Sequence, residues 1–246
     1  MMSCMECQGS KGKKRAVLVT GGAVRIGAAI AEALARAGWD VVVHAHRSRA
    51  EAEALCVRLR SLGVGAWRVG GDLTQPGSAA EVFAAVCAAA GRLDAVVNNA
   101  AVFSVRGEIQ GLRQVNTETP IELTRCLWEH LRGRGACGCA VQMLDQRIAA
   151  DMAEDTPYTQ SKKTLAAFVR KAAAEMAPVL RVNAVAPGAV LLPVSPEARE
   201  PAGHFPLGLR PTPTQVADAV RWLLEAEAVT GQTLFVDSGQ HLGMTE

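Results

Sequence analysis

Residues 16–27 read Ala16-Val17-Leu18-Val19-Thr20-Gly21-Gly22-Ala23-Val24-Arg25-Ile26-Gly27. An apolar, largely β-branched run enters a glycine-bearing turn and continues into the Ala- and Leu-rich stretch 27–37. The run shows no polar alternation, which is the pattern of a strand buried on both faces, and the stretch after it has the composition of a helix. Glycines in such a turn accept positive φ and let a ligand approach the backbone. The helix that follows presents unpaired N–H groups to an anion such as a pyrophosphate. A lone glycine turn is weak evidence for a nucleotide site, but one that opens a βαβ unit is stronger.

Working outward, the same theme recurs. Strand-like runs at 41–43, 66–69, 95–97, 140–144, 182–185 and 233–236 alternate with helical stretches at 50–62, 79–90, 121–131, 159–177 and 216–224. Strands that feed helices in this order predict an α/β fold: a single-domain, Rossmann-type, doubly wound parallel sheet of about seven strands with helices on both faces. The domain is expected to span 15–246, after a small, basic tail at 1–14. Prolines crowd the stretch from Pro187 to Pro213, so a stiff loop or lid is expected there.

Composition narrows the function. Lys and Arg total 26 against 24 Asp and Glu, a net charge of +2, so no nucleic-acid partner is indicated. Apolar stretches such as 84–90 fall far short of the roughly 20 residues that cross a bilayer, and no apolar signal core stands at the start, so a cytoplasmic protein without membrane contact is expected. Seven cysteines, most of them inside predicted elements, read as reduced thiols. Cys4 and Cys7 form a C-x-x-C without a second pair, so no metal site is expected.

The second strand ends in His44-Ala45-His46-Arg47-Ser48. A carboxylate for a ribose 2′-hydroxyl is missing, whereas Arg47, the Ser48 hydroxyl and His46 suit a 2′-phosphate, so NADP(H) is the expected cofactor. A solvated Arg at a strand end is the alternative. Together with Asp72-Leu73, Asn98-Asn99-Ala100, Tyr158-x-x-x-Lys162, Pro187-Gly188 and Val236-Asp237-Ser238-Gly239, these residues make the chain resemble the short-chain dehydrogenase/reductase family over nearly its whole length. The resemblance implies that Asp72 and Leu73 contact adenine, that Asn99, Ala100 and Ala101 support cofactor and sheet, and that Pro187 and Gly188 line the nicotinamide. Gly21, Arg25, Ile26 and Gly27 complete the implied cofactor set. Tetramers are common in the family, so a homo-oligomer, dimer or tetramer, is expected, with Leu207, Leu209 and Leu242 as contacts.

Tyr158 is the only tyrosine, and its spacing from Lys162 puts both side chains on one helical face. A nearby ammonium is expected to lower the phenol's pKa toward neutrality and make it a working acid, and Lys162 is also implied to bind the cofactor ribose. Asn116 matches the family's Asn of a water relay, with a plain polar helix residue as the alternative. Asp145 stands where most members carry a Ser that donates to a substrate carbonyl. An ionised Asp cannot do so, which disfavours ordinary ketone reduction.

That Asp, the Arg25 in place of a glycine, and His46-Arg47-Ser48 are similar to the pteridine reductases of the family. The resemblance implies a small-molecule substrate, a dihydropterin or dihydrofolate, held by Arg25, Phe103, Asp145 and Tyr158. NADPH would be the hydride source, Tyr158 the proton donor, and Lys162, Asp145 and Asn116 its catalytic partners. Each has a plainer reading: Arg25 as a surface charge, Phe103 as a core side chain, Asp145 as an N-cap or turn residue. A carbonyl reductase or alcohol dehydrogenase of the same family is the competing activity, and a non-catalytic nucleotide-binding protein the remaining one. Asn116 follows Ala101 by only 15 positions, shorter than is usual in the family, which leaves one pocket wall and the assembly open.

Overall fold

The computed structural model describes residues 14–103, 111–150, 156–191 and 205–243. Strands β1 (Ala16–Val19), β2 (Asp40–Ala45), β3 (Ala66–Gly70), β4 (Ala95–Asn98), β5 (Gly138–Met143), β6 (Leu180–Pro187) and β7 (Thr233–Val236) alternate with helices α1 (Arg25–Arg36), α2 (Arg49–Arg60), α3 (Ser78–Ala90), α4 (Thr119–Arg134), α5 (Pro157–Glu175) and α6 (Pro213–Glu225). They form one parallel, seven-stranded sheet in the order β3-β2-β1-β4-β5-β6-β7. The expected architecture is the observed one.

The two-residue period of a strand divides the core. Val17, Val19, Val41, Val43, Ala95 and Val97 point to one face, where Ile30 and Leu34 of α1, Leu55 and Leu59 of α2, and Val220 and Leu223 of α6 cover them. Leu18, Val42 and Val96 point to the other, against Val86 of α3, Leu123 and Leu127 of α4, and Leu165 and Val169 of α5. Each fully buried Val, Leu or Ile side chain among these contributes about 1.5–3 kcal/mol.

Strand β6 is longer than the apolar run that announces it. Arg181 and Asn183 interrupt the pattern, yet both are satisfied inside the fold: Arg181 donates to the carbonyls of Leu223, Leu224 and Val229, and Asn183 to that of Val229. Helix α4 likewise begins early, through a π-helical turn at Gln114–Glu118. Thr156 caps α5 and Thr212 caps α6 with a reciprocal capping box, each ahead of a Pro in the first helical turn.

Cys56, Cys87, Cys126 and Cys139 are free thiols, as expected, whereas Cys137 is disulfide-bonded. The expectation of reduced thiols throughout is corrected there: Cys137 lies just outside β5 and is only partly buried, where another thiol can reach it. Cys4 and Cys7 and most of the proline-rich stretch lie outside the described residues. Among the described residues no cluster of metal-ligating side chains is present, and no helix is long and apolar enough to cross a membrane.

Candidate active site

Strand β1 pairs with β2 on one side and β4 on the other, while the chain runs outward from it in both directions, so the connections leaving β1 and β4 diverge. A crevice opens at that switch point, outside the carboxyl ends of the strands. It holds about 400 Å³ and is lined by Gly21, Arg25, Ile26, Gly27, His44, His46, Asp72, Leu73, Asn99, Ala100 and Ala101, together with Val24, Thr74, Val102 and Val115.

The glycine turn is held from several sides. Asn99 donates through Nδ2 to the carbonyls of Thr20 (2.8 Å) and Gly21 (3.1 Å), and the Thr20 hydroxyl accepts the N–H groups of Asn99 (2.9 Å) and Ala100 (3.0 Å). Gly21 has φ 59°, and a Cβ there would lie 3.1 Å from the Cα of Ala100. A Cβ on Gly27 would strike the Gly21 carbonyl oxygen and approach Asn99 Nδ2 to 2.7 Å. Arg25 also sits in the left-handed region, at φ 54°, which explains why a glycine would serve at that position.

His44 is a further support that the sequence reading overlooked. The imidazole is buried; Nδ1 accepts the Gly21 N–H at 3.3 Å, and Nε2 lies 3.2 Å from the Gly71 carbonyl. Only the neutral tautomer with its hydrogen on Nε2 satisfies both, and burial takes its pKa down to about 4. The visible signal was a polar residue inside a buried β-branched run. Asp72 accepts from the backbone N–H and hydroxyl of Thr74 (3.0 and 2.8 Å), which together hold its carboxyl below the usual range, and His46 lies 3.4 Å away. Arg47, exposed, and Ser48 stand just beyond the crevice lining, on the way into α2. The Ser48 hydroxyl caps no helix N–H although Ser48 is the N-cap of α2. At the far side, the Gly188 N–H donates to the Val236 carbonyl at 3.1 Å, just past Pro187 at the end of β6.

A second group of residues meets beyond β5. Tyr158 Oη donates to Asp145 Oδ2 at 3.0 Å. Asp145 also caps the short 3-10 turn Gln146–Ala149, accepting the Arg147 N–H on Oδ1 at 2.9 Å, while Arg147 Nη1 donates to Oδ2 at 3.2 Å. Asp145 is thus the N-cap that its plainer reading expects, and it also touches Tyr158. Phe103 is 51% exposed, not a core side chain, and its ring lies edge-on to Tyr158 at 4.8 Å between centroids. Asn116, in the π-helical turn, brackets Val102, accepting its N–H at 2.8 Å and donating to its carbonyl at 2.9 Å, and donates to Ser161 Oγ at 3.2 Å. It thereby fixes the segment that presents Phe103.

The electrostatics of Tyr158 correct one expectation. Burial first, then the Asp145 carboxylate, push its pKa well above the ordinary value, and Arg147 alone pulls it down. Lys162 does not acidify it: its Nζ lies 5.8 Å from the ring centroid and donates to the Met143 carbonyl at 2.7 Å. Burial lowers Lys162 itself to about 8, with Asp145 opposing. In this arrangement the phenol is neutral and a donor.

The family model described as Enoyl-(Acyl carrier protein) reductase matches residues 22–241. The chain belongs to the short-chain dehydrogenase/reductase family and is an NADP-dependent oxidoreductase of it. Within that family it is related to pteridine-reductase and FolM-like proteins. A crystal structure of FolM Alternative dihydrofolate reductase 1 from Brucella suis in complex with NADP is 34% identical, with a TM-score of 0.83, over 93% of this chain and 95% of that one. Pteridine reductase 1 of Leishmania tarentolae is 30% identical over 92% of this chain and 96% of its own length. Acetoin dehydrogenase from Enterobacter cloacae is 27% identical, with a TM-score of 0.84, over 94% of this chain and 97% of that one.

Proposed function

We propose that the chain reduces a C=N bond of a pterin-like ring, a dihydropterin or dihydrofolate, with NADPH, and that Tyr158 supplies the proton. The observation that carries this reading is the 3.0 Å hydrogen bond from Tyr158 Oη to Asp145 Oδ2. Where a ketone reductase of the family would offer a hydroxyl hydrogen to a substrate oxygen, this site has a carboxylate that accepts on both oxygens. Its chemistry suits handing a proton through the phenol to a ring nitrogen. The likeness to pteridine reductase 1 and to the alternative dihydrofolate reductase supports the same substrate class.

The crevice fits a dinucleotide: Gly21 and Gly27 leave the backbone open, and the N-terminus of α1 faces the space. His46, Arg47 and Ser48 would hold a 2′-phosphate, Asp72 and Leu73 the adenine, Asn99, Ala100 and Ala101 the middle of the cofactor, and Pro187 and Gly188 the nicotinamide. NADPH, when bound, supplies the hydride. Tyr158 gives its hydroxyl hydrogen to the nitrogen made basic by hydride addition, Asp145 is the route by which that hydrogen is restored, Arg147 offsets the charge left on the phenol, and Lys162, anchored on the Met143 carbonyl, would hold the cofactor ribose. Arg25 and Phe103 line the approach of the ring, and Asn116 braces the Phe103 segment.

The test is NADPH oxidation with dihydropterins, dihydrofolate and a panel of ketones. Tyr158→Phe is expected to lower pterin turnover by about 10²–10⁴-fold while NADPH binding persists. Wild-type turnover by Tyr158→Phe would refute the proton-donor assignment. Ketone turnover without pterin turnover would replace the substrate class with the carbonyl reading, which the likeness to acetoin dehydrogenase favours.

A further inference from the structure

We infer that Arg147 selects substrates carrying a carboxylate on the part of the molecule that leaves the ring-binding slot beside Phe103. This rests on the pterin reading and deepens it, dividing ring-only substrates from those with an acidic tail.

Three observations meet at this side chain. Its guanidinium lies over the Phe103 ring, 5.4 Å from the centroid, so cation and aromatic ring stand together beside Tyr158. Its side chain is 35% exposed beside the exposed Phe103, so both are open to solvent. Its only polar side-chain partner among the described residues is Asp145 Oδ2, bound through Nη1 at 3.2 Å, which leaves Nε and Nη2 without an acceptor among those residues.

A guanidinium offers five hydrogens in a rigid plane, and the Nε and Nη2 hydrogens run parallel, at the spacing of the two oxygens of a carboxylate. The Asp145 contact fixes the orientation of that edge in advance, so a ligand carboxylate meets an ordered fork and little side-chain freedom is lost on binding. The residue is therefore built on one side to hold the catalytic carboxylate and on the other to receive a second one. A neutral substituent gains nothing comparable there.

The experiment compares dihydrofolate, which carries glutamate carboxylates, with a tail-less dihydropterin in the full-length protein. Arg147→Met also loosens Asp145 and so affects both substrates, which makes the diagnostic quantity the ratio of their KM values. That ratio, dihydrofolate over dihydropterin, is expected to rise about tenfold in Arg147→Met, the loss of one charge-assisted pair. In Arg147→Lys, which keeps the charge but not the fork, it is expected to rise by a smaller factor. The NADPH dissociation constant, read by fluorescence, reports whether each variant folds. An unchanged ratio in both folded variants overturns this inference and leaves the pterin reading standing. Turnover of neither substrate by the unaltered protein overturns both.

Discussion

Lys162 is almost wholly buried, and its ammonium is satisfied by one carbonyl, that of Met143. Burial lowers its pKa from 10.5 to about 8, so the unfolded chain holds this proton more tightly than the folded one. At neutral pH the buried charge costs the folded state on the order of 3 kcal/mol, and that cost fades as pH rises from about 8 through 10.5. Lys162→Met is therefore expected to raise stability at pH 7 by about 2 kcal/mol, after the lost hydrogen bond is counted, and to flatten the dependence of stability on pH above 8. Urea unfolding at pH 7 and pH 10 measures both. The same variant should lose most of its turnover, because the ammonium that would hold the cofactor ribose is gone. A Lys162→Met protein less stable than the unaltered one at pH 7 would contradict this balance of burial and charge. A charge-burying residue that weakens the fold is what a site evolved for chemistry retains.

At the scale of elements, the turn from β1 into α1 is fitted against the end of β4 with no room for a side chain. Gly27 packs against the Gly21 carbonyl and the Asn99 amide, so Gly27→Ala must push the turn and the Asn99 brace apart. The expected result is a destabilisation of about 1–3 kcal/mol by thermal unfolding, and an NADPH dissociation constant raised by about tenfold or more. Retention of wild-type affinity would show that the turn is more compliant than its contacts imply. This turn was legible in the sequence because glycines placed between a β-branched run and a helical one have few other uses. The supports of the turn were not. His44 and Thr20 act through contacts with residues 21, 71, 97, 99 and 100, which no local pattern brings together. Likewise the π-helical turn that carries Asn116 has no sequence signature of its own, and Arg147 gains its meaning only when β5 and α5 lie side by side.

At the scale of the whole molecule, Leu207, Leu209 and Leu242 are 71%, 50% and 66% exposed, and Trp222 on α6 is 49% exposed. Large apolar side chains left in water favour association at about 25 cal/mol per Å² buried. We expect a dimer or tetramer by light scattering coupled to size exclusion, and a lower mass for a Leu207→Asp, Leu242→Asp double variant. A monomeric wild-type protein would remove these leucines from consideration as contacts.

The alternation of apolar runs and helical stretches determined by itself that the chain forms a doubly wound parallel sheet, because strands buried on both faces and helices with one covered stripe have few other ways to pack. The order of Gly21, Asp72, Asn99, Tyr158 and Lys162 likewise fixed the family. Only the tertiary structure decided that the phenol stays neutral and donates to Asp145, that Phe103 stands in the open, and that Arg147 joins them. Charge and hydrogen-bond state depend on burial and on which groups from distant segments come within about 3 Å, and neither is written in the spacing of residues along a chain.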